Sequence, residues 1–426
     1  MDIEEELFEK LVDDPQQAGG LDPDARRAEP GNFLRHVASL AGSKLADGLI
    51  DPKLVLTWLM THLGAGAALT GLLVPVREAG SLLPQLFTAG AIGAFPRRKW
   101  VWAVGSVAQG LAAIGIGLVA LTLQGVVAGA VIVGLLAVLA LARSACSASY
   151  KDVLGKTVGK SRRGTATGLA SSIASGGVIL FAVVLLWGGL PREVLVIAAI
   201  MLAGAFWVLG GAIFATLREQ AQPRQGVMTG GQALSQLSLL RSDAQLGRFV
   251  AARAALVGTA LAPPYLLLIG AGQDGNERQL GLLVLASALA SLLSSYVWGR
   301  LSDRSARQVL IGAGLAGGVA LAIALGLAWM GLAGSIWAIP AVLFGLMIAY
   351  HGVRQGRSTY LVDMAPEDQR ASYTAVSNLV VGLVLLAAGA LSAGLAALGP
   401  LWVIAVFALA SFAGAWIAYG LDEVSA

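Results

Sequence analysis

The residues of this chain that could do chemistry are few, and they lie in stretches where charge is costly. Lys44, Asp47 and Asp51 fall in one apolar stretch, residues 33–59. Arg77 and Glu78 fall in the middle of another, residues 66–92. An ionised side chain at the centre of a lipid-buried helix costs about 2.5–3.5 kcal/mol on insertion scales, so the default reading of each is functional. The three- and four-residue spacings of Lys44, Asp47 and Asp51 put them on one helix face, with Trp58 near the same stripe. Pro52 removes a backbone donor directly after Asp51 and predicts a kink there. Glu78 shares a stripe with Gly71 and Gln85, and Ser81 lies beside it. Arg77 points away from Glu78 and is free to meet Asp47 or Asp51. Burial favours the protonated carboxyl and a nearby arginine favours the ionised one. A glutamate held between those influences can exchange a proton near neutral pH.

Asp47, Asp51, Arg77 and Glu78 are therefore candidate solute- and proton-binding residues. Arg253 joins them from the later half of the chain, as a site for an anionic group or as the partner of a carboxylate across a cavity. Arg143, and Arg354 with Tyr350, His351 and Arg357, are candidate gating residues. His36, His62 and His351 are scattered, and Cys146 is the single cysteine, which reads as a small packing residue. No metal-ligating cluster, internal disulfide or cofactor site is legible. Leu154-Gly155-Lys156-Thr157 supplies the end of a phosphate-binding loop without its beginning, so ATP hydrolysis is not expected.

The elements that must position these groups are helices in a bilayer. Of the 426 residues, 57% are hydrophobic and 13% charged, against about 25% charged in soluble domains. The 55 glycines suit closely packed membrane helices. Apolar runs long enough to span occur at about 33–59, 66–92, 99–122, 125–148, 165–187, 192–216, 247–270, 279–299, 308–330, 334–353, 372–396 and 400–420. The runs are continuous and not alternating, which excludes a barrel. With the N-terminus inside, the inward loops hold Arg97, Arg98 and Lys99; Lys151, Lys156, Lys160, Arg162 and Arg163; Arg218, Arg224, Arg241 and Arg248; Arg300, Arg304 and Arg307; and Arg354, Arg357 and Arg370. The outward loops hold Arg192 and Arg278. That bias predicts a multi-pass protein of the cytoplasmic membrane with both termini inside. It also explains the net charge of +4 without nucleic acid.

The expected organisation is an acidic cytoplasmic tail (1–32), a six-helix bundle (33–216), a cytoplasmic central loop (217–246), a second six-helix bundle (247–420) and a short C-terminus (421–426). Arg163-Gly-Thr-Ala-Thr167 echoes Arg370-Ala-Ser-Tyr-Thr374, and Leu40–Ala46 echoes Leu256–Ala262. These echoes suggest a duplicated architecture with a solute site near the midplane.

Gly299-Arg-Leu-Ser-Asp-Arg-Ser-Ala-Arg307 resembles the inward-loop motif of the major facilitator superfamily, with Ser302 for its alanine and Ala306 for its second glycine. The resemblance implies an all-α membrane fold of 12 helices in two pseudo-symmetric bundles that rock about a central cavity. It makes Gly299, Asp303, Arg304 and Arg307 gating residues. The matching segment of the first half, Gly93-Ala-Phe-Pro-Arg-Arg-Lys99, keeps the basic cluster but lacks the aspartate. Gly168, Gly176 and Gly177 stand at positions of the family's exchanger motif, which leans towards efflux; Ser172 and Ile173 depart from it. The expected function is proton-coupled secondary transport of a small solute by a monomer. The alternatives are a transporter-like receptor or assembly factor, and an intramembrane enzyme.

Overall fold

The computed structural model describes residues 3–11, 21, 23–85, 92, 95–221, 236–270, 279–366 and 369–424, apart from the side chains at 295, 296, 299, 303 and 371. Arg224 and Arg278 of the charge count lie outside the described residues. The described elements are helical throughout. In chain order they are α1 (Ile3–Leu11), α2 (Pro23–Arg27), α3 (Glu29–Leu49), α4 (Val55–His62), α5 (Ala67–Leu82), α6 (Lys99–Thr122), α7 (Gly125–Thr157), α8 (Arg163–Trp187) and α9 (Arg192–Ala215). After the central segment come α10 (Leu239–Ser242), α11 (Ala244–Ala255), α12 (Gly258–Leu261), α13 (Pro263–Gly270), α14 (Gln279–Arg304), α15 (Ala306–Trp329), α16 (Ala338–Met364), α17 (Arg370–Ala396) and α18 (Pro400–Tyr419).

Eight described segments are long and apolar enough to cross a bilayer: α6, α7, α8 with the turn before it, α9, the run α11–α13, α15, α17 from Ser372, and α18. Their outward faces carry large apolar side chains such as Leu111, Leu180, Leu315 and Leu409. Lipid is a good solvent for such faces, so the protein is a multi-pass membrane protein. The segments that fall short of that mark are α3 with α4, α5, α14 and α16, and these carry most of the charges singled out above.

Helix packing follows the chain. Helix α6 lies against α7 and α9, α3 against α8 and α9, and α5 against α7. In the later half α15 packs on α16 and α18, α14 on α16, and α11 on α17 and α18. The most extensive contacts between early and late helices are those of α5 with α17 and of α8 with α14. Between membrane helices no hydrophobic force operates, so association depends on close van der Waals contact. Glycine supplies it: a Cβ on Gly110 would stand 2.6 Å from the Gly204 carbonyl oxygen, which puts α6 and α9 backbone to backbone. A Cβ on Gly389 would stand 2.1 Å from Cγ of Pro75, so the α5–α17 contact requires that glycine.

Several boundaries differ from the hydropathy reading because hydropathy measures lipid-facing length and not helix length. Helix α16 runs on to Met364 and α7 to Thr157, where polar residues hold helical hydrogen bonds beyond the apolar run. The 299–307 motif is not an extended loop: α14 stays helical to Arg304, and Ser305 alone breaks it by accepting from the amide of Gln308 at the start of α15. Helix α3 begins at Glu29, inside the expected tail, and Glu29 is buried against Arg162.

Candidate functional site

Between α3 and α4 the chain leaves helical geometry and returns to it within five residues. Pro52 lacks the amide that would continue α3. The Asp51 carboxylate accepts instead from the amides of Lys53 (2.7 Å) and Leu54 (3.2 Å), and the Asp51 carbonyl accepts from Val55 and Leu56. Asp51 thus folds the break. What the break positions is Lys53, a residue to which the sequence reading assigned no role. Lys53 as a whole residue is 6% exposed. Its Nζ lies 3.5 Å over the centroid of the Tyr350 ring on α16 and 3.8 Å from Glu78 Oε1 on α5. The Tyr350 hydroxyl donates to the same Glu78 oxygen at 3.4 Å. Glu78 therefore ties two elements of the early half to one of the later half. A desolvated cation–π contact of this kind contributes about 2 kcal/mol.

One turn below, Asp47 holds two arginines. Its Oδ1 accepts from Arg77 Nη2 at 2.6 Å, and its Oδ2 lies 2.7 Å from Arg143 Nη2. Arg143 also donates to Ser43 Oγ, which accepts from the Trp207 indole as well. Lys44 has no carboxylate within ion-pair distance among the described residues, because Asp47 is taken by the arginines.

Arg253 on α11 is 4% exposed. It donates to Ser377 Oγ and, at 3.2 Å, to Asn378 Oδ1, both on α17, and its guanidinium lies over the Phe249 ring. Asn378 Nδ2 donates in turn to Gln85 Oε1 at 2.9 Å, and Gln85 donates to the Ser81 carbonyl. This is a second polar link between the halves. A cavity of about 30 Å³ lies between the two links, lined by Glu78, Arg253, Tyr350, Arg354 and Arg357 among apolar side chains of α11–α12 and α17. That volume holds about two waters, so admitting a solute requires the walls to move apart.

Of the sequence candidates, the structure brings Asp47, Arg77 and Arg143 into one cluster and sets Glu78, Arg253 and Arg354 on one cavity. Asp51 serves the chain break. The 299–307 motif, expected to gate, lies elsewhere. Gly299 and Asp303 occupy the last turns of α14, and their side chains lie outside the described residues. Arg304 is exposed. Arg307 donates to the Tyr419 carbonyl at the end of α18, and Ser305 donates to Glu423 at 2.6 Å. In the first half, the acid missing from the Gly93–Lys99 segment is supplied by two other elements. Glu219 accepts from the amides of Arg98 (3.1 Å) and Lys99 (2.8 Å), capping α6, and Asp152 of α7 holds Arg98 at 2.6 Å and Lys156. The signal for Lys53 was present in the sequence as a lysine in an apolar run, but an Asp-Pro-Lys string also reads as a solvated loop.

Apolar spanning helices, two polar links across a small internal cavity and charged ties at the helix ends define a multi-pass helical membrane protein. Residues 248–425 match the family profile of the Major Facilitator Superfamily. Solved structures with the same fold include a D-xylose-proton symporter (TM-score 0.69, 12% identity, covering 92% of this chain and 98% of that one). They include the nucleoside transporter NupG (0.68, 12%, 91% and 98%). A POT family transporter in complex with 5-aminolevulinic acid is also among them (0.68, 11%, 91% and 95%). Comparison with curated protein sequences finds no match. The family match thus covers the second half of the chain, and the likeness of the whole described chain to these solved transporters is one of fold.

Proposed function

We propose that this protein is a secondary active transporter of a small organic solute in the cytoplasmic membrane, working by alternating access and coupled to protons at Glu78. The observation that carries the reading is the Lys53–Glu78–Tyr350 contact, an ionisable carboxylate joining the two halves beside the internal cavity. Protonation of Glu78 removes the charge that attracts Lys53 and the acceptor of the Tyr350 hydroxyl. The tie across the halves weakens, and the α16 wall is free to move. Proton binding and wall movement are then one event, which is what coupling requires. Asp47 stays matched to two arginines and acts as the fixed counter-charge.

The eight long apolar segments and the four more polar ones together support 12 spans in two bundles, each carried out of its apolar ideal where the cavity needs charge. The Lys and Arg bias supports both termini inside. Export by exchange is the favoured direction, on the glycine spacing at Gly168, Gly176 and Gly177. A Cβ on Gly168 or Gly176 would meet open space, so tight packing does not account for those two glycines.

Proteoliposomes with an imposed pH gradient test the reading. Glu78→Gln should abolish gradient-driven accumulation while leaving solute exchange at equal pH. Accumulation by the variant at the wild-type rate refutes coupling at Glu78.

A further inference from the structure

The cavity wall holds three guanidiniums, those of Arg253, Arg354 and Arg357, against one carboxylate, Glu78. Glu78 lies 3.8 Å from Lys53 and is also within electrostatic reach of Arg357 and Arg354, so this one carboxylate is shared among several cations, and among the described residues none of the three arginines has a carboxylate within ion-pair distance. Lys44 and Arg354 also lie within electrostatic reach of each other, which adds a further positive charge to the same region. Arg253 is the most enclosed of the three. Its two terminal nitrogens donate to neutral oxygens of Ser377 and Asn378, its Nε has no partner, and Arg357 is its charged neighbour. Neutral acceptors orient a guanidinium without neutralising it. A cation this enclosed and next to a like charge is retained where a counter-charge arrives from outside.

We infer that the solute is an anion, and that its carboxylate or phosphate group is held by Arg253 together with Arg357 and Arg354, which line the same cavity. The planar fork of arginine accepts either group bidentately, and the partnerless Nε of Arg253 leaves an edge of that fork open. The site also reports occupancy. Asn378, which orients Arg253 from α17, is the residue that bonds Gln85, three residues beyond α5, so an anion drawing on Arg253 acts on the link between the halves. The neutral part of the solute meets Leu256, Val257, Ala260 and Leu385.

This inference rests on the transport reading for its biological sense, but its test does not. The full-length protein, purified in detergent, is heated at constant ionic strength with succinate, glycerol 3-phosphate, inorganic phosphate, a neutral pentose or choline. At least one of the anions should raise the unfolding temperature saturably, and the pentose and choline should not. Arg253→Gln should weaken the apparent affinity about tenfold or more. Arg253→Lys, which keeps the charge and loses the fork, should fall between the two and serves as the test if Arg253→Gln does not fold. Arg241→Gln, on the exposed surface, should match the wild type. Stabilisation by the carboxylate and not the phosphates, or the reverse, identifies which group binds. The inference is overturned if no anion stabilises, if the pentose or choline stabilises alone, or if the Arg253 variants respond as the wild type does. An anion that binds but is not carried into proteoliposomes refutes transport and leaves the site standing.

Discussion

Asp47→Asn probes the charge cluster most directly. The carboxylate stands 2.6 Å from Arg77 and 2.7 Å from Arg143, with the three side chains 25%, 13% and 29% exposed. Removing one partner of a fully buried pair costs about 3–5 kcal/mol, most of it the penalty of the charge left behind. Partial exposure admits some screening here, while two cations lose their partner instead of one. We expect a loss of about 2–3 kcal/mol, roughly 30- to 150-fold in the folding equilibrium. Reversible SDS titration followed by circular dichroism measures it. Arg77→Gln or Arg143→Gln alone should cost less, because Asp47 keeps its other arginine. The triple variant, Asp47→Asn with both arginines changed to Gln, should be more stable than the sum of the singles by about 1 kcal/mol or more, since it leaves no unmatched charge. Asp47→Asn within about 0.5 kcal/mol of wild type, or simple additivity of the triple, would show that Asp47 does not neutralise the two arginines.

Other perturbations test the interface and the ends of the helices. Gly389→Leu places a Cβ 2.1 Å from the rigid Pro75 ring, so α5 and α17 must separate at about 1–3 kcal/mol. Spin labels at His62 and Leu398 should move apart, and an unchanged distance distribution would show that the contact yields elsewhere. Glu219→Gln keeps one of the two carboxylate acceptors that cap α6 and should destabilise by about 1 kcal/mol; no change on thermal unfolding would mean that water replaces the cap. Cys146 is buried against Trp102 and Gln109. A polar maleimide should therefore label it in SDS and not in mild detergent, and fast labelling of the folded protein would contradict the packing of α6 on α7.

Much of the architecture was legible because the bilayer imposes a simple rule. A chain in lipid must satisfy its own backbone, so long apolar runs become helices and charge marks what faces inward. Hydropathy therefore located eight described spanning segments, and the rarity of charge drew attention to Asp47, Arg77, Glu78 and Arg253. The kink at Pro52 was equally local, since proline removes its amide wherever it stands. Pairing was a different matter. Nothing in the order of residues says that Asp47 takes Arg77 and Arg143 in place of Lys44, or that Asp51 spends its carboxylate on two amides.

Sequence alone established a helical membrane protein and showed which of its charges fall within apolar runs. The tertiary structure alone decided which charges meet. Lys53 lies 297 residues before Tyr350 and Arg253 lies 125 before Asn378, and such partners meet only when helices from different parts of the chain pack side by side. Ion pairs and hydrogen bonds depend on distances of a few ångström, and helix packing sets those distances. Periodicity along one helix carries no information about its neighbour.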